Sequence, residues 1–241
     1  MSRSNTAYLV LADALEDTLA DLDPGSRLPS ENELGPSFGV SRITARAALR
    51  ELEQRHHVRR IRGSGTFVGL RIDYPLRSEP LPSWSEIVTR AGHRASYDVD
   101  VVASERSSAK VAQRLDIPRG RMVTRAVRRG RIDGNIASHH SMYVPSGLVP
   151  GIGAHLRRGG SAARILDEHY GLRPRRWWSR AELISAPDSI AMALDLVGRP
   201  LAWHTQSINR CPETGTAVEY SEGWLRPDCF RVYLELGPAE Q

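Results

Sequence analysis

Residues 28–68 read LPSENELGPSFGVSRITARAALRELEQRHHVRRIRGSGTFV, and the punctuation of this stretch decides the first fold element. Ser30, with Glu33 three residues on, is a capping-box pair, so a helix is expected to start there. Leu34 and Phe38 are its expected buried side, and Gly39 is placed to take the left-handed conformation that ends a helix. Ser41 then caps a second helix. Ala45, Ala48, Leu49 and Leu52 recur on one face of it at spacings of three and four, while Arg42, Arg46 and Arg50 fall on another with Thr44 near the start. Guanidiniums on successive turns of an alanine-packed helix suit a major groove, where arginine donates twice to guanine O6 and N7. The alternation Val58 to Arg62, the break Gly63-Ser64-Gly65 and the resumption Thr66 to Val68 predict a hairpin wing. Pro36 removes a backbone donor inside the first motif helix, which is therefore expected to be short, kinked or held mainly by packing.

Charge is distributed accordingly. Residues 1–40 carry a net charge of −5 and residues 41–71 a net charge of +6, in a chain whose total is +5. The positive field is concentrated on the proposed contact surface. Lys110 is the only lysine, so the basic count is almost entirely arginine, the residue suited to bidentate contacts.

LPSENEL, FGVSRITARAALRELE and RIRGSGTFVG resemble the winged helix-turn-helix domain of the GntR family of bacterial transcription regulators. By that resemblance the DNA-binding positions include Asn32, Ser41, Arg42, Thr44, Arg46, Arg62 and Gly63, and Arg50 joins them through its place on the helix face with Arg42 and Arg46. The likeness implies a double-stranded operator with an inverted repeat, read by a homodimer.

Upstream, Tyr8, Leu11, Ala12, Leu15, Leu19 and Leu22 form a helical stripe closed by Asp23-Pro24-Gly25, expected to pack on the two motif helices. Downstream, Pro75, Pro80 and Pro82 predict an extended connector. The expected organisation is a DNA-binding domain at 1–70, a linker at 71–82 and a second domain at 83–241. That domain carries a weak internal repeat: the 28 residues from Ser107 align with those from Asp188, each reading as short helix, glycine turn, strand and hairpin loop. Each half returns on a second strand, NIASHHSMYV or TAVEYSEGWL. With strands at 97–104, 177–185 and 230–236 and a helix at 161–170, the pattern predicts an antiparallel sheet with helices on one side, so the fold class is α+β.

IDYPL, PSWSEIVTRAGHRAS, VRRGRIDG, YVP, ILDEHYGL and AVEYSEGWLRPD resemble the UTRA effector domain of the HutC subfamily, whose fold is chorismate-lyase-like, over residues 75–238. IDYPL, RAVRR and VEYS look most like PhnF-type regulators, which are associated with phosphonate or phosphate uptake. The resemblance implies an effector-binding cleft with Ser85, Arg128, Ser161 and Glu219. Hydroxyls and a guanidinium suit an oxyanion, and a carboxylate accepts from hydroxyls or an amine. The match around Arg128 requires a two-residue insertion, leaving Arg125 and Arg129 as alternatives. Ala163 stands where some sugar-phosphate sensors have tyrosine, which disfavours a sugar phosphate. His139 and His140 read first as partly exposed strand residues, with cleft lining as the alternative; Trp177, Trp178 and Trp203 read as core or dimer interface.

The implied function is a DNA-binding regulator, a repressor, modulated by a small anionic effector; the alternative is a chorismate-lyase-like enzyme fused to a DNA-binding domain. The sequence has no HExxH, paired CxxC, P-loop, GxGxxG or nucleophile elbow, so no catalytic residue, metal or cofactor is expected. Cys211 and Cys229 read as packing residues. Without a membrane-length apolar run or a signal-peptide pattern, the expected location is the cytoplasm, with no membrane partner.

Overall fold

The computed structural model describes residues 3–19, 21–61, 63–76 and 82–234. Two compact units result: Met1–Arg71 with Pro227–Arg231, and Ile72–Arg226 with Val232–Gln241.

The first unit packs α1 (Arg3–Leu19), α2 (Glu31–Phe38) and α3 (Arg42–Gln54) beside the hairpin β1 (Val58–Ile61) and β2 (Gly65–Val68). Leu11, Ala12, Leu15 and Leu19 of α1, Leu34 of α2 and the α3 face Ala45, Ala48, Leu49 and Leu52 form one core with Leu28, Val58 and Val68. The alanines of α3 let neighbouring backbone approach closely, which fixes how far the helix stands from α1 and α2. Glu33 closes the α2 start by accepting from the Ser30 amide at 2.7 Å, and the Ser41 hydroxyl accepts from the Thr44 amide at 3.1 Å. Gly39 is left-handed at φ 62°, as expected.

Pro36 lies inside α2, which is eight residues long. The preceding Gly35 is buried because the Val40 amide donates to its carbonyl at 2.9 Å, and a Cβ at Gly35 would meet the Val40 oxygen at 3.1 Å. The Gly-Pro step is thus where the turn folds back onto its own helix. Two expected core residues are not buried. Phe38 is 44% exposed because it lies in the last turn of α2, beyond the reach of α1 and α3, and Leu22 is 40% exposed because it follows the end of α1.

The second unit is built on a six-stranded antiparallel sheet. Its elements are β3 (Ile72–Pro75), α4 (Trp84–Arg90), β4 (Ala95–Arg106), α5 (Ala109–Leu115), β5 (Met122–Ile132), β6 (Asn135–Pro145), α6 (Ile152–Arg157), α7 (Ala162–Tyr170), β7 (Arg175–Ser185), α8 (Asp188–Ala193), β8 (Leu201–Arg210) and β9 (Ala217–Leu225), while the last strand, β10 (Phe230–Tyr233), has its first two residues in the first unit and its last two in the second. The order β4-β5-β6-β9-β8-β7 is palindromic. β4-α5-β5-β6 and β7-α8-β8-β9 are the two copies of the internal repeat, meeting at the β6–β9 seam. Strands β3 and β10 pair separately, so the expected strand at 230–236 is not part of this sheet; its residues 235 and 236 lie outside the described residues.

Helices cover both faces, not one. α6 and α7 pack on Ala126, Met142, Val144 and Val218, whereas α5 packs on Val123, Ile208 and Tyr220, and α8 on Ala202 and Trp224. The alternation of strand residues requires this. The side chains of Met142 and Tyr143 project to opposite faces, and both faces are rich enough in apolar residues to need cover. Trp177 is 72% exposed and so is not a core residue, while Trp178 packs beside α5. Cys211 and Cys229 are both buried and are not joined in a disulfide.

Candidate nucleic-acid interface and candidate ligand cavity

Helix α3 buries its alanine and leucine face and turns Arg42, Arg46 and Arg50 outward. Asn32, Ser41 and Gly63 are also exposed, and Thr44 is half-buried against the Ser41 hydroxyl at 2.9 Å. Gly63 has φ 77° at the wing tip, where the Ser64 amide donates to the Ile61 carbonyl at 3.0 Å. Arg62 lies outside the described residues.

Two features of this surface are absent from the reading of the sequence. Ile43, 79% exposed, stands on the face of α3 that carries Arg46 and Arg50. An apolar side chain so placed matches the methyl group of thymine in a major groove. Glu31 accepts from Arg46 at 3.0 Å, from Arg60 at 3.0 Å and from Arg42 at 3.4 Å. These hydrogen bonds, Arg46 first, hold its carboxyl below the usual range.

The second unit contains a cavity of about 180 Å³ between the sheet and α4 and α7. Arg128, Ser161 and Glu219 line it together, drawn from β5, the cap of α7 and β9. Ser85 is not in the lining but stands behind it, with its hydroxyl 3.2 Å from that of the lining residue Ser83. Of Arg125, Arg128 and Arg129, it is Arg128 that faces the cavity, whose lining also includes Arg175 and Arg176. Arg129 projects to the opposite face, where it holds Asp100 at 2.7 Å, and Arg125 lies 4.0 Å from Glu105. The extra residues of the two irregularities beside this stretch, Asp100 and Ala137, lie on β4 and β6, so β5 itself alternates without a break and Arg128 faces opposite to Arg125 and Arg129.

Arg128 donates from Nη1 to the Gly160 carbonyl at 2.9 Å and lies over the Tyr97 ring at 4.6 Å; its buried Nε has no hydrogen-bond partner among the described residues. Burial pushes the Tyr97 phenol up to about 12 against the opposing effect of that guanidinium. The next residues after Gly160 are Ser161, which makes no capping bond with its side chain, then Ala162 and Ala163, all three in the lining. The cavity therefore receives a guanidinium and the amide-bearing end of a nine-residue helix, two features that favour an anion.

Glu219 is buried across the cavity. Its carboxylate accepts from Asn209 at 3.0 Å and from Ser221 at 3.2 Å, while Arg176 donates to the other end of the Asn209 amide at 2.8 Å. The amide carries the influence of Arg176 to the acid, which stays next to the cavity rather than locked in an ion pair. His140, half-buried, also lines the cavity, whereas its neighbour His139 occupies the opposite face, so the cleft-lining alternative applies to His140 alone. Burial first, and then the charge of Arg128, push His140 down to about 3, so its imidazole is neutral. Its Nε2 is buried without a hydrogen-bond partner among the described residues.

Residues 7–68 match the model for bacterial regulatory proteins of the gntR family, and residues 90–231 match that of the UTRA domain. An uncharacterized HTH-type transcriptional regulator of Bacillus subtilis, YurK, is 28% identical over 71% of this chain and 71% of its own. The mannosyl-D-glycerate transport/metabolism system repressor MngR of Escherichia coli is 44% identical, but over only 25% of this chain and 26% of its own. Among solved structures, PhnF of Mycobacterium smegmatis superposes with a TM-score of 0.66 at 21% identity, covering 94% of this chain and 99% of that one, which is a likeness of fold. No described helix is long and apolar enough to cross a membrane. With the UTRA match spanning more than half its length and the gntR match spanning the helix-turn-helix and wing, the chain belongs to the GntR family of bacterial transcription regulators and carries a UTRA domain.

Proposed function

We propose that this regulator is a cytoplasmic, homodimeric repressor that reads an inverted repeat and leaves it when a small anion occupies the UTRA cavity. The observation that carries the effector class is the convergence of Arg128 and the Ser161 end of α7 on one cavity. In the site, the guanidinium and the Ser161 hydroxyl hold the oxyanion, and Glu219 accepts from a hydroxyl or amine elsewhere on the ligand. At about 180 Å³ the cavity is smaller than the roughly 300–1,000 Å³ of drug-sized sites, which favours a compact ligand such as a short phosphonate, phosphate ester or carboxylate. Arg128 also holds Gly160, at the start of α7, so filling the cavity acts on that loop as well as on the ligand. A ligand shifts a DNA-competent state only by its differential affinity for two conformations, and the Arg128–Gly160 tie is a contact through which that difference can arise.

The test is thermal unfolding of the full chain with inorganic phosphate, methylphosphonate, small phosphate esters and short carboxylates, followed by DNA release with whichever stabilises. A ligand at one hundred times its Kd adds about 2.7 kcal/mol to native stability. A panel in which no anion raises the melting temperature overturns the effector class, and an anion that stabilises without altering DNA affinity overturns the switch. Light scattering is expected to give twice the 26.8 kDa chain mass; a monomer with and without DNA removes the dimer.

A further inference from the structure

The three arginines at Glu31 come from two separate elements. Glu31 is the first residue of α2, whereas Arg42 and Arg46 lie on α3 and Arg60 on β1 of the wing. The Glu31 side chain is only 13% exposed, while those of Arg46 and Arg42 are 55% and 63% exposed, so the carboxylate lies beneath guanidiniums that face solvent. Arg46 engages it with both Nε, at 3.0 Å, and Nη2, at 2.9 Å. That two-point fork is the geometry with which arginine recognises a guanine edge or a phosphate. Without a counter-charge, the heads of Arg42, Arg46 and Arg60 repel one another and spread over many rotamers.

Resting on the DNA-binding assignment of the first unit, we infer that Glu31 is a positioning and specificity residue of the DNA-reading surface: it gathers Arg42, Arg46 and Arg60 into one cluster and competes with nucleic acid for them. Its carboxylate sets a threshold. A phosphate contact of arbitrary sequence must displace Glu31 and regains only a similar two-point anion contact, whereas binding in register regains it together with base contacts from the rest of α3. The carboxylate also cancels one positive charge on the contact surface, which limits the sequence-independent attraction to DNA. Specificity is the difference between those two affinities, so one acidic residue raises it by lowering the nonspecific arm.

The experiment uses the full chain with two duplexes of equal length, one selected by the wild-type protein from random DNA and one of random sequence, each titrated over a salt series. Glu31→Gln keeps the side-chain shape and removes the charge. It is expected to tighten random-duplex binding by about three- to tenfold, steepen log K against log salt by about 0.9, and reduce the selected-to-random affinity ratio. Glu31→Asp, which retains the charge, is expected to keep the wild-type slope. A Glu31→Gln protein with unchanged slope and ratio overturns the inference, as does one in which both affinities fall together with the melting temperature, since that marks a structural role. A wild-type chain that selects no duplex defeats the DNA-binding assignment itself, whereas selective wild-type binding leaves Glu31 alone on trial.

Discussion

His140 of β6 packs against Gly223 of β9 so closely that a Cβ on Gly223 would overlap the imidazole, with the Thr205 hydroxyl closing the other side at 3.1 Å. The glycine makes the space that keeps His140 in the cavity wall. Gly223→Ala is expected to cost about 1–3 kcal/mol by overpacking, lowering the melting temperature by roughly 2–4 °C per kcal/mol. A double-mutant cycle with His140→Ala checks the cause. The alanine at 223 should be far less costly once the imidazole is gone, and equal costs in both backgrounds would disprove the contact.

Stability should fall as the solution is made acidic from pH 6.5. The unfolded His140 takes up a proton near its ordinary value of about 6.5, but the folded one is held down to about 3. Between those limits the unfolded chain binds more protons, so unfolding becomes easier as pH drops. Burial pushes His56, His57 and His139 in the same direction. Denaturant midpoints from pH 7 to 5 are expected to decline less steeply in His140→Gln than in the wild type; superimposable profiles would place the effect elsewhere.

Arg128→Lys should fold and yet lose the anion. A lysine cannot lie flat over Tyr97, donate to Gly160 and keep a second donor for a ligand. We expect ligand affinity to drop at least about tenfold, equivalent to about 1.4 kcal/mol, in a calorimetric titration with whichever anion stabilises the wild type. Wild-type affinity in the lysine variant would remove Arg128 from the site.

On the DNA side, Arg46→Ala should weaken binding to the selected duplex by about 1–3 kcal/mol without changing melting, because the side chain is solvent-facing. Ile43→Ala is expected to behave differently: affinity falls modestly and discrimination is relaxed at one thymine position. Competition gel shifts over single-base variants distinguish the two. An Ile43→Ala protein with an unaltered base profile would leave the exposed isoleucine without a reading role.

Local chemistry explains which features were legible in advance. The caps at Ser30 and Ser41 are bonds across three residues, Gly39 needs only its own left-handed φ, and the buried face of α3 follows from helical period. The internal repeat was visible as two similar stretches, and its placement as mirror halves of one sheet follows the antiparallel pairing of each half. Phe38 has the helical period of a buried residue, yet at the last position of α2 it is exposed, because period alone does not say where packing stops. The assignment of helices to one side failed because period alone does not say which apolar face of a sheet the next helix will cover.

By itself the sequence determined the helix-turn-helix, the wing, the internal repeat and the α+β class of the second domain, because each is written in contiguous residues through capping, turn chemistry and periodicity, while the palindromic strand order came from the tertiary structure. Only the tertiary structure decided that Arg128 faces the cavity while Arg125 and Arg129 do not, that His140 is neutral in its wall, and that Glu31 gathers arginines 11, 15 and 29 positions away. The reason is physical: alternation puts Arg128 opposite Arg125 and Arg129, but which face of the sheet carries the cavity depends on where α4 and α7 pack, and burial and charge act through space. Neither effect has a fixed spacing along the chain.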